Sequence, residues 1–490
     1  MKNLPLTLGF IAALALLHAC TLEEEFITDS GLELRFSQDT VRFDTVFTEV
    51  GSATQSFKIY NPFADPVNIS SVRVGSNPGG RFRINVDGRS GDMIEEIFLA
   101  PNDSVYVFVE VTVDPDEDVS VSPFVFEGNV IIEATDLEQV VMLEAFGQNA
   151  NYLPRDRGRS DFGLLTCGFG EIVFDDPKPY VLYGSLVVDE CTLTLPPGCR
   201  LYVHGGLVMN SELFPENPIF NDGLIIFQGS GRLNIAGTVE QPVLIATDRL
   251  EERFLKDGGQ YSGIRLGSGT GPHSISHARI RNGIVGVFAD STARIDIDHT
   301  EISYTSSTGV VGYQADVTMS NTLVHSNGGG AVLALKGGNY SLDYCTLVNY
   351  GSQSPAVLLS NGIELRPGLA LVGDLQASLR NTIVYGSLMD ELALSDFNQP
   401  ERFAYSLENC VLKTERVRER RAEFDDRCNP CLFPERTEPL FVSAVQDSFG
   451  LDSLSVAEGF AQPLDDIGDD LLGVIRDGER PDCGALEREE

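Results

Sequence analysis

The sequence predicts an all-β chain: an antiparallel β-sandwich, then a parallel β-helix (a solenoid) that ends in a C-terminal cap. Three observations carry this reading. Forty-eight glycines and 24 prolines among 490 residues supply many turns, which suits short strands better than long helices. Alternating, strand-sized segments recur between residues 57 and 147. A repeat near 22 residues then runs from 275 to 412, and a period of that length marks stacked supersecondary units.

The chain opens with Lys2 ahead of an apolar run over 4–17, too short to span a bilayer. The run ends at Leu17-His18-Ala19-Cys20. This ending resembles the lipobox of bacterial lipoproteins, with His18 an uncommon residue two places before the cysteine. The resemblance implies that 1–19 is a signal peptide and that Cys20 carries a lipid joining the protein to a membrane. An ordinary secretory signal with a plain thiol at Cys20 is the alternative. Residues 20–30 read as an acidic tether. Its Glu23, Glu24 and Glu25 resemble the surface-export signal of one lineage of Gram-negative bacteria. That implies an outer-membrane lipoprotein exposed on the cell surface; a solvated spacer is the other reading.

Residues 31–150 alternate apolar and polar side chains in short pieces such as 67–74 and 104–113, with turn residues between them, as an antiparallel sandwich requires. The order of Phe57, Ile59, Asn61, Pro101, Asp103, Ser104, Pro115 and Gly147 resembles immunoglobulin-like modules of the ASPM–SPD-2–Hydin group. The resemblance implies a spacer or binding platform rather than an enzyme. The acidic stretch 114–118 could offer calcium its hard oxygens. It lacks fixed ligand positions, so a solvated turn is the better reading, and no cofactor is expected.

Residues 151–180 read as a linker and N-terminal cap, and 181–415 as the β-helix. Six segments align: 275–280, 297–302, 319–324, 342–348, 379–384 and 407–412, the fourth taken as one residue longer. Each begins with an apolar residue and ends in Ile, Val or Leu. A small residue lies between: Ala278, Thr300, Thr322, Thr346, Thr382 or Cys410. A second apolar stretch trails five of them (284–288, 309–311, 331–335, 356–359 and 392–394). Each rung leaves an apolar face that only its neighbours can cover, so like residues stack on like.

Upstream segments at 193–203, 224–238 and 242–245 fit earlier rungs. They resemble the first coils of bacterial right-handed parallel β-helix proteins, as does Tyr261-Ser262-Gly263-Ile264-Arg265-Leu266. Near the end, Asp470, Gly473 and Arg476, then Pro481-Asp482-Cys483-Gly484-Ala485 and Glu487, resemble the closing motif of exported β-helix proteins. The resemblance implies the fold and leaves activity open. Residues 416–490 read as a charged excursion over the solenoid end followed by the cap.

Besides Cys20 there are eight cysteines: Cys167, Cys191, Cys199, Cys345, Cys410, Cys428, Cys431 and Cys483. All are disulfide candidates in an oxidising compartment, with the pairing open. Cys428 and Cys431 form a lone CxxC, without the second half a zinc site needs or the context of a thioredoxin. A structural disulfide is the better reading.

A net charge of −37 excludes nucleic acid as a partner, since phosphates must be met by Lys and Arg. The absence of Trp argues modestly against a sugar-stacking platform, although Tyr and Phe could serve. Enzymatic β-helix proteins are weighed through Asp296 and Asp298, which point outward from one strand, with Arg279 as a nearby base or positive charge. His277 and His299 share a column one rung apart and read as a stacked polar ladder at a bend; two histidines make a poor metal site, and none is expected. The leading expectation is a non-catalytic envelope protein presenting its β-helix face to an extended glycan or a surface protein. A polysaccharide lyase or glycoside hydrolase is the alternative, and a structural subunit of an envelope complex the third.

Overall fold

The computed structural model describes residues 27, 33–47, 54–77, 80–112, 124–134, 137–148, 150–153, 162–209, 219–435 and 438–488. Cys20, the acidic tether at 23–25 and the acidic stretch 114–118 lie outside the described residues. The chain divides into two units, Met1–Asn149 and Ala150–Glu490.

The first unit holds two five-stranded sheets. One is ordered Arg35–Phe36, Gln55–Tyr60, Ser104–Val111, Phe82–Val86, Arg89–Gly91; the other Thr40–Phe47, Leu137–Gln148, Phe124–Ala134, Val67–Val74, Met93–Leu99. Ser104–Val111 shows why strands form here. Val105, Val107, Val109 and Val111 are buried, while Tyr106, Phe108 and Glu110 face outward, the period of two that a half-buried strand needs. Pairing is antiparallel except that Thr40–Phe47 runs parallel to Leu137–Gln148. Asn61 is buried and donates from Nδ2 to the carbonyls of Asp65, Leu99 and Ala100. It thereby satisfies a turn that Pro62 and Pro66 leave short of N–H donors.

The second unit is a parallel β-helix with three faces. Ile275, Ile297, Met319, Leu342, Leu379 and Leu407 pair in register along the first face. Ile280, Ile302, Val324, Leu347, Val384 and Leu412 do so along the second. Val287, Val310, Val332, Val357 and Leu392 stack along the third. All of these side chains are buried in one continuous core. The register corrects one detail of the repeat. The fourth segment ends at Leu347 rather than Val348 and needs no extra residue, so Cys345, not Thr346, takes its small inward position.

Between the first and second faces the chain turns through one residue with left-handed backbone: His277, His299, Asn321, Tyr344, Asn381 and Asn409, with φ between 43° and 54°. Asn and His tolerate this region better than most side chains, which accounts for the polar ladder. The corner's N–H groups remain satisfied. His277 N donates to Asp298 O and His299 N to Ser320 O, and the pattern continues rung by rung.

The solenoid extends further than 181–415. Asn151–Leu153, Phe162–Leu165 and Gly170–Val173, expected as linker and cap, already pair in parallel with the following strands. The stacked rings of Phe174 and Tyr180, 4.2 Å apart, and the Cys167–Cys191 disulfide close this early coil. At the other end Cys431–Leu432 adds to Cys410–Leu412, and Phe424, fully buried, seals the core. The last segment, 438–488, does not finish an end cap. It runs back along the second face, packing Phe441, Phe449, Leu451, Ala457 and Cys483 onto Leu323, Tyr344, Val348, Ile383 and Val411. Those outward side chains are apolar, and without this strap they would meet water.

Candidate functional site

The first face keeps its outward side chains free of the strap, and three columns run along it at the strand spacing of about 4.8 Å. One column is Arg294, Asp316, Asn339, Gln376 and Ala404. The middle one is Ser274, Asp296, Thr318, Ser341, Ser378 and Ser406. The third is Ser276, Asp298, Ser320, Asp343, Arg380 and Glu408.

Over the last four rungs the first two columns open into a shallow groove of about 470 Å3. Short hydroxyls (Thr318, Ser341, Ser378 and Ser406) form its floor, Asp316, Asn339 and Gln376 one side, and Arg427 one end. The groove floor is low because these rungs carry Thr or Ser where Asp296 stands earlier. Asn339 Nδ2 donates to Asp316 Oδ1 at 2.6 Å. The Arg427 guanidinium lies 5.8 Å from the ring centre of Tyr405. The floor thus presents hydroxyl donors and acceptors in a row, with one carboxylate and one guanidinium at its margins.

Asp296 is exposed in the middle column. Asp298 is committed elsewhere: Oδ1 accepts from Ser320 Oγ at 2.7 Å and Oδ2 lies 2.6 Å from His299 Nδ1. Arg279 stands on the second face, beyond the corner, 3.8 Å from Glu301. The aspartates and Arg279 therefore do not converge on one reaction centre. Two further basic residues, Arg265 and Lys336, lie off this face. Arg265 lies on the third face, paired with Asp290 at 2.9 Å, and Lys336 occupies a left-handed corner.

The histidine column gains partners the sequence did not reveal. The rings of His277 and His299 stack 4.5 Å apart, 5° from parallel. His299 Nε2 lies 3.2 Å from Asp469 of the strap and 3.1 Å from Asn321 Nδ2. Burial disfavours charge on His299, but the hydrogen bonds and charges of Asp298 and Asp469 outweigh it and hold its pKa above the usual imidazole range. Burial, together with the neighbouring His299 charge, pulls His277 below that range. Ligand atoms of His277, Asp298 and His299 lie within 4.8 Å of one another. An ion, however, binds in the plane of an imidazole about 2 Å from its nitrogen, and two parallel planes stacked face to face cannot share one. The cluster serves as an ionic tie between rung and strap.

The Cys167–Cys191 disulfide uses two of the eight candidate cysteines. Cys199, Cys345, Cys410 and Cys483 are buried single thiols, and Cys428 and Cys431 are half-buried. The closing motif forms the clasp of the strap. The Asp470 carboxylate accepts the N–H groups of Leu472, Val474 and Glu487. Arg476 donates to Asn321 Oδ1 at 2.7 Å and to the carbonyls of Asp469, Asp482 and Gly484. Gly484, at φ 93°, could not carry a Cβ, which would sit 2.5 Å from Thr346 Oγ1.

With rungs in register around one core, the comparison with known families is direct. Residues 254–374 match the family model of a right-handed beta helix region. No curated protein matches the chain in sequence. Similarity to solved structures is slight. The catalytic unit of a GH87 alpha-1,3-glucanase from Streptomyces thermodiastaticus aligns over 72 % of this chain and 73 % of its own, with 9 % identity and a TM-score of 0.28. A family 123 glycoside hydrolase from Clostridium perfringens aligns over 23 % and 26 %, with 8 % identity and a TM-score of 0.17. The ASH/PapD-like domain of human CEP192 aligns over 26 % and 95 %, with 9 % identity and a TM-score of 0.16. This chain thus spans about a quarter of the Clostridium enzyme's length. Likenesses at this level carry no argument about activity.

The groove residues Asn339, Gln376, Ser378, Ser406 and Arg427 were not anticipated from sequence. A signal for the floor existed: the residue just before each repeat's first apolar position is Ser274, Asp296, Thr318, Ser341, Ser378 or Ser406. Arg427 had none, because it reaches the groove from the charged excursion.

Proposed function

We propose that the protein is a lipid-anchored envelope protein that binds an extended, neutral glycan, without cleaving it, along the groove of its first β-helix face. The observation that carries this is the row Thr318, Ser341, Ser378 and Ser406, in register across four rungs. Hydroxyls and amides at a spacing of about 4.8 Å match an extended sugar chain presenting one ring per rung, each hydrogen-bonded at its own level. A glycan fits better than an extended protein segment because the floor lacks apolar pockets for alternating side chains. A chain of net charge −37 also favours a neutral polymer over a polyuronate. Attachment through Cys20, exposure at the outer membrane and an immunoglobulin-like spacer in the first unit complete the proposal. Mass spectrometry of the N-terminal peptide and protease treatment of intact cells test the anchor and the exposure.

Calorimetric titration with neutral oligosaccharides of increasing length tests the groove. Affinity should rise up to about four sugars, one per rung at the strand spacing, and then level off, and Ser341→Trp should abolish it. Length-independent binding, or binding untouched by Ser341→Trp, removes the groove from consideration. New reducing or unsaturated ends, lost on Asp298→Ala, establish the lyase or hydrolase alternative instead.

A further inference from the structure

In every rung the first and fourth repeat positions point into the core from either side of the left-handed corner. In the sixth they are Leu407 and Cys410, both fully buried, flanking Asn409. After the charged excursion the chain returns to this edge. Cys428 bridges alongside Leu407, Cys431 pairs with Cys410 and Leu432 with Val411. Cys428 and Cys431 therefore take the first and fourth positions of a truncated seventh rung. Their side chains converge on the inner corner, against the end of the core. The Cys431 Sγ lies 3.9 Å from Leu407 O on this inner edge, and the neighbouring Cys431 favours thiolate at Cys428, as does the Arg418 guanidinium, over the opposing effects of burial and Asp425. Both cysteines are only half-buried, whereas Cys199, Cys345, Cys410 and Cys483 are buried. Arg427, at the end of the groove, immediately precedes Cys428.

We propose that Cys428 and Cys431 form a reversible dithiol–disulfide couple that locks the last rung and thereby fixes Arg427 at the end of the glycan groove. The second half rests on the groove reading above; the couple itself does not. The oxidant is a disulfide-bearing partner. Cys428 thiolate attacks one sulfur of that disulfide, the S–S bond breaks and one partner thiolate leaves. Cys431 then gives up its proton and attacks Cys428 Sγ, releasing the second partner thiolate. The protein loses two electrons and two protons, and the partner gains them as two thiols.

The full chain, equilibrated across glutathione buffers from reducing to oxidising, is trapped with maleimide and digested. The peptide carrying Cys428 and Cys431 should pass from two maleimide adducts to none, its unlabelled form two hydrogens lighter than the free dithiol peptide, while Cys410 stays reduced. Both cysteines remaining alkylated at every ratio, or Cys428 joined to Cys410 instead, overturns the couple. Because the wild-type chain is used, misfolding of a variant cannot obscure the result. Glycan titration of the two forms tests control of the groove. Reduction should weaken binding about tenfold, the worth of one charge-assisted hydrogen bond from Arg427. Equal affinity overturns that control and leaves the couple standing. Binding by neither form counts against the groove alone, since thiol trapping needs no glycan.

Discussion

Replacing Arg476 by alanine should release the C-terminal strap and leave the rungs beneath it intact. The guanidinium is almost fully buried and donates to Asn321 Oδ1, to three carbonyls and, at 3.3 Å, to Glu487 Oε2, while lying 3.9 Å over the ring of Tyr344. Breaking one partner out of a buried ion pair costs about 3–5 kcal/mol. Glu487 keeps the N–H groups of Asp477 and Asp482, so the lower end, about 3 kcal/mol, is expected. That raises the population of the open strap roughly a hundredfold. Hydrogen exchange on the full chain reads it directly: amides in 464–487 should exchange about a hundredfold faster, with those in rungs 275–412 unchanged. Arg476→Lys should fall between the two, keeping a charge but losing the fork. Equal loss of protection in the rungs would show that the strap is part of the solenoid's cooperative unit and refute the reasoning.

Two further outcomes follow from the same geometry. His299 has a raised folded pKa, so its ion-pair stabilisation is complete below its unfolded value near 6.5 and disappears as pH rises through the folded value. Protection of strap amides around Asp469, measured relative to the intrinsic base-catalysed rate, should therefore fall on the alkaline side, with that fall absent in His299→Gln; constant protection in the native chain contradicts the tie. Leu342→Ala, at a fully buried site between Met319 and Leu379, should cost about 2–5 kcal/mol. It should lower the thermal midpoint of the whole solenoid rather than free the strap, and a shift confined to the strap would count against continuous stacking.

The architecture was legible because stacking forces like residues into columns. The first apolar positions, from Ile275 to Leu407, are mutual neighbours as the spacing required, even where insertions lengthen a rung. What misled was local. Thr346 resembles Thr322 and Thr382 in type but lies one residue out of their register, and Cys345 fills the corresponding inward site. The early coil at 151–173 escaped notice because its strands are three or four residues long and its closure depends on a disulfide and an aromatic stack. No periodicity announces contacts of that kind. The strap escaped for a related reason. Its apolar residues are dispersed among turns, and only the outward Tyr344, Val348 and Ile383 reveal that something must cover them.

The candidate site illustrates how far a column argument reaches. Rung spacing alone carries Asp298 to Ser320 and on to Asp343, and these three are register neighbours. Arg279 could be counted near those aspartates only while the corner was treated as flat. A left-handed residue at His277 turns the chain sharply, so three positions along the sequence become a change of face, and Arg279 meets Glu301 instead. The same corner makes Asp298 a partner of His299 rather than a free carboxylate. Polar groups next to the turn are thus drawn into holding the strap, while those two residues earlier, from Thr318 to Ser406, face the groove and are held only by long hydrogen bonds, Ser341 to Asp343 and Ser406 to Ser378, each 3.4 Å. Function on this face is therefore expected in the middle column rather than beside the bend, where carboxylate and imidazole already satisfy one another.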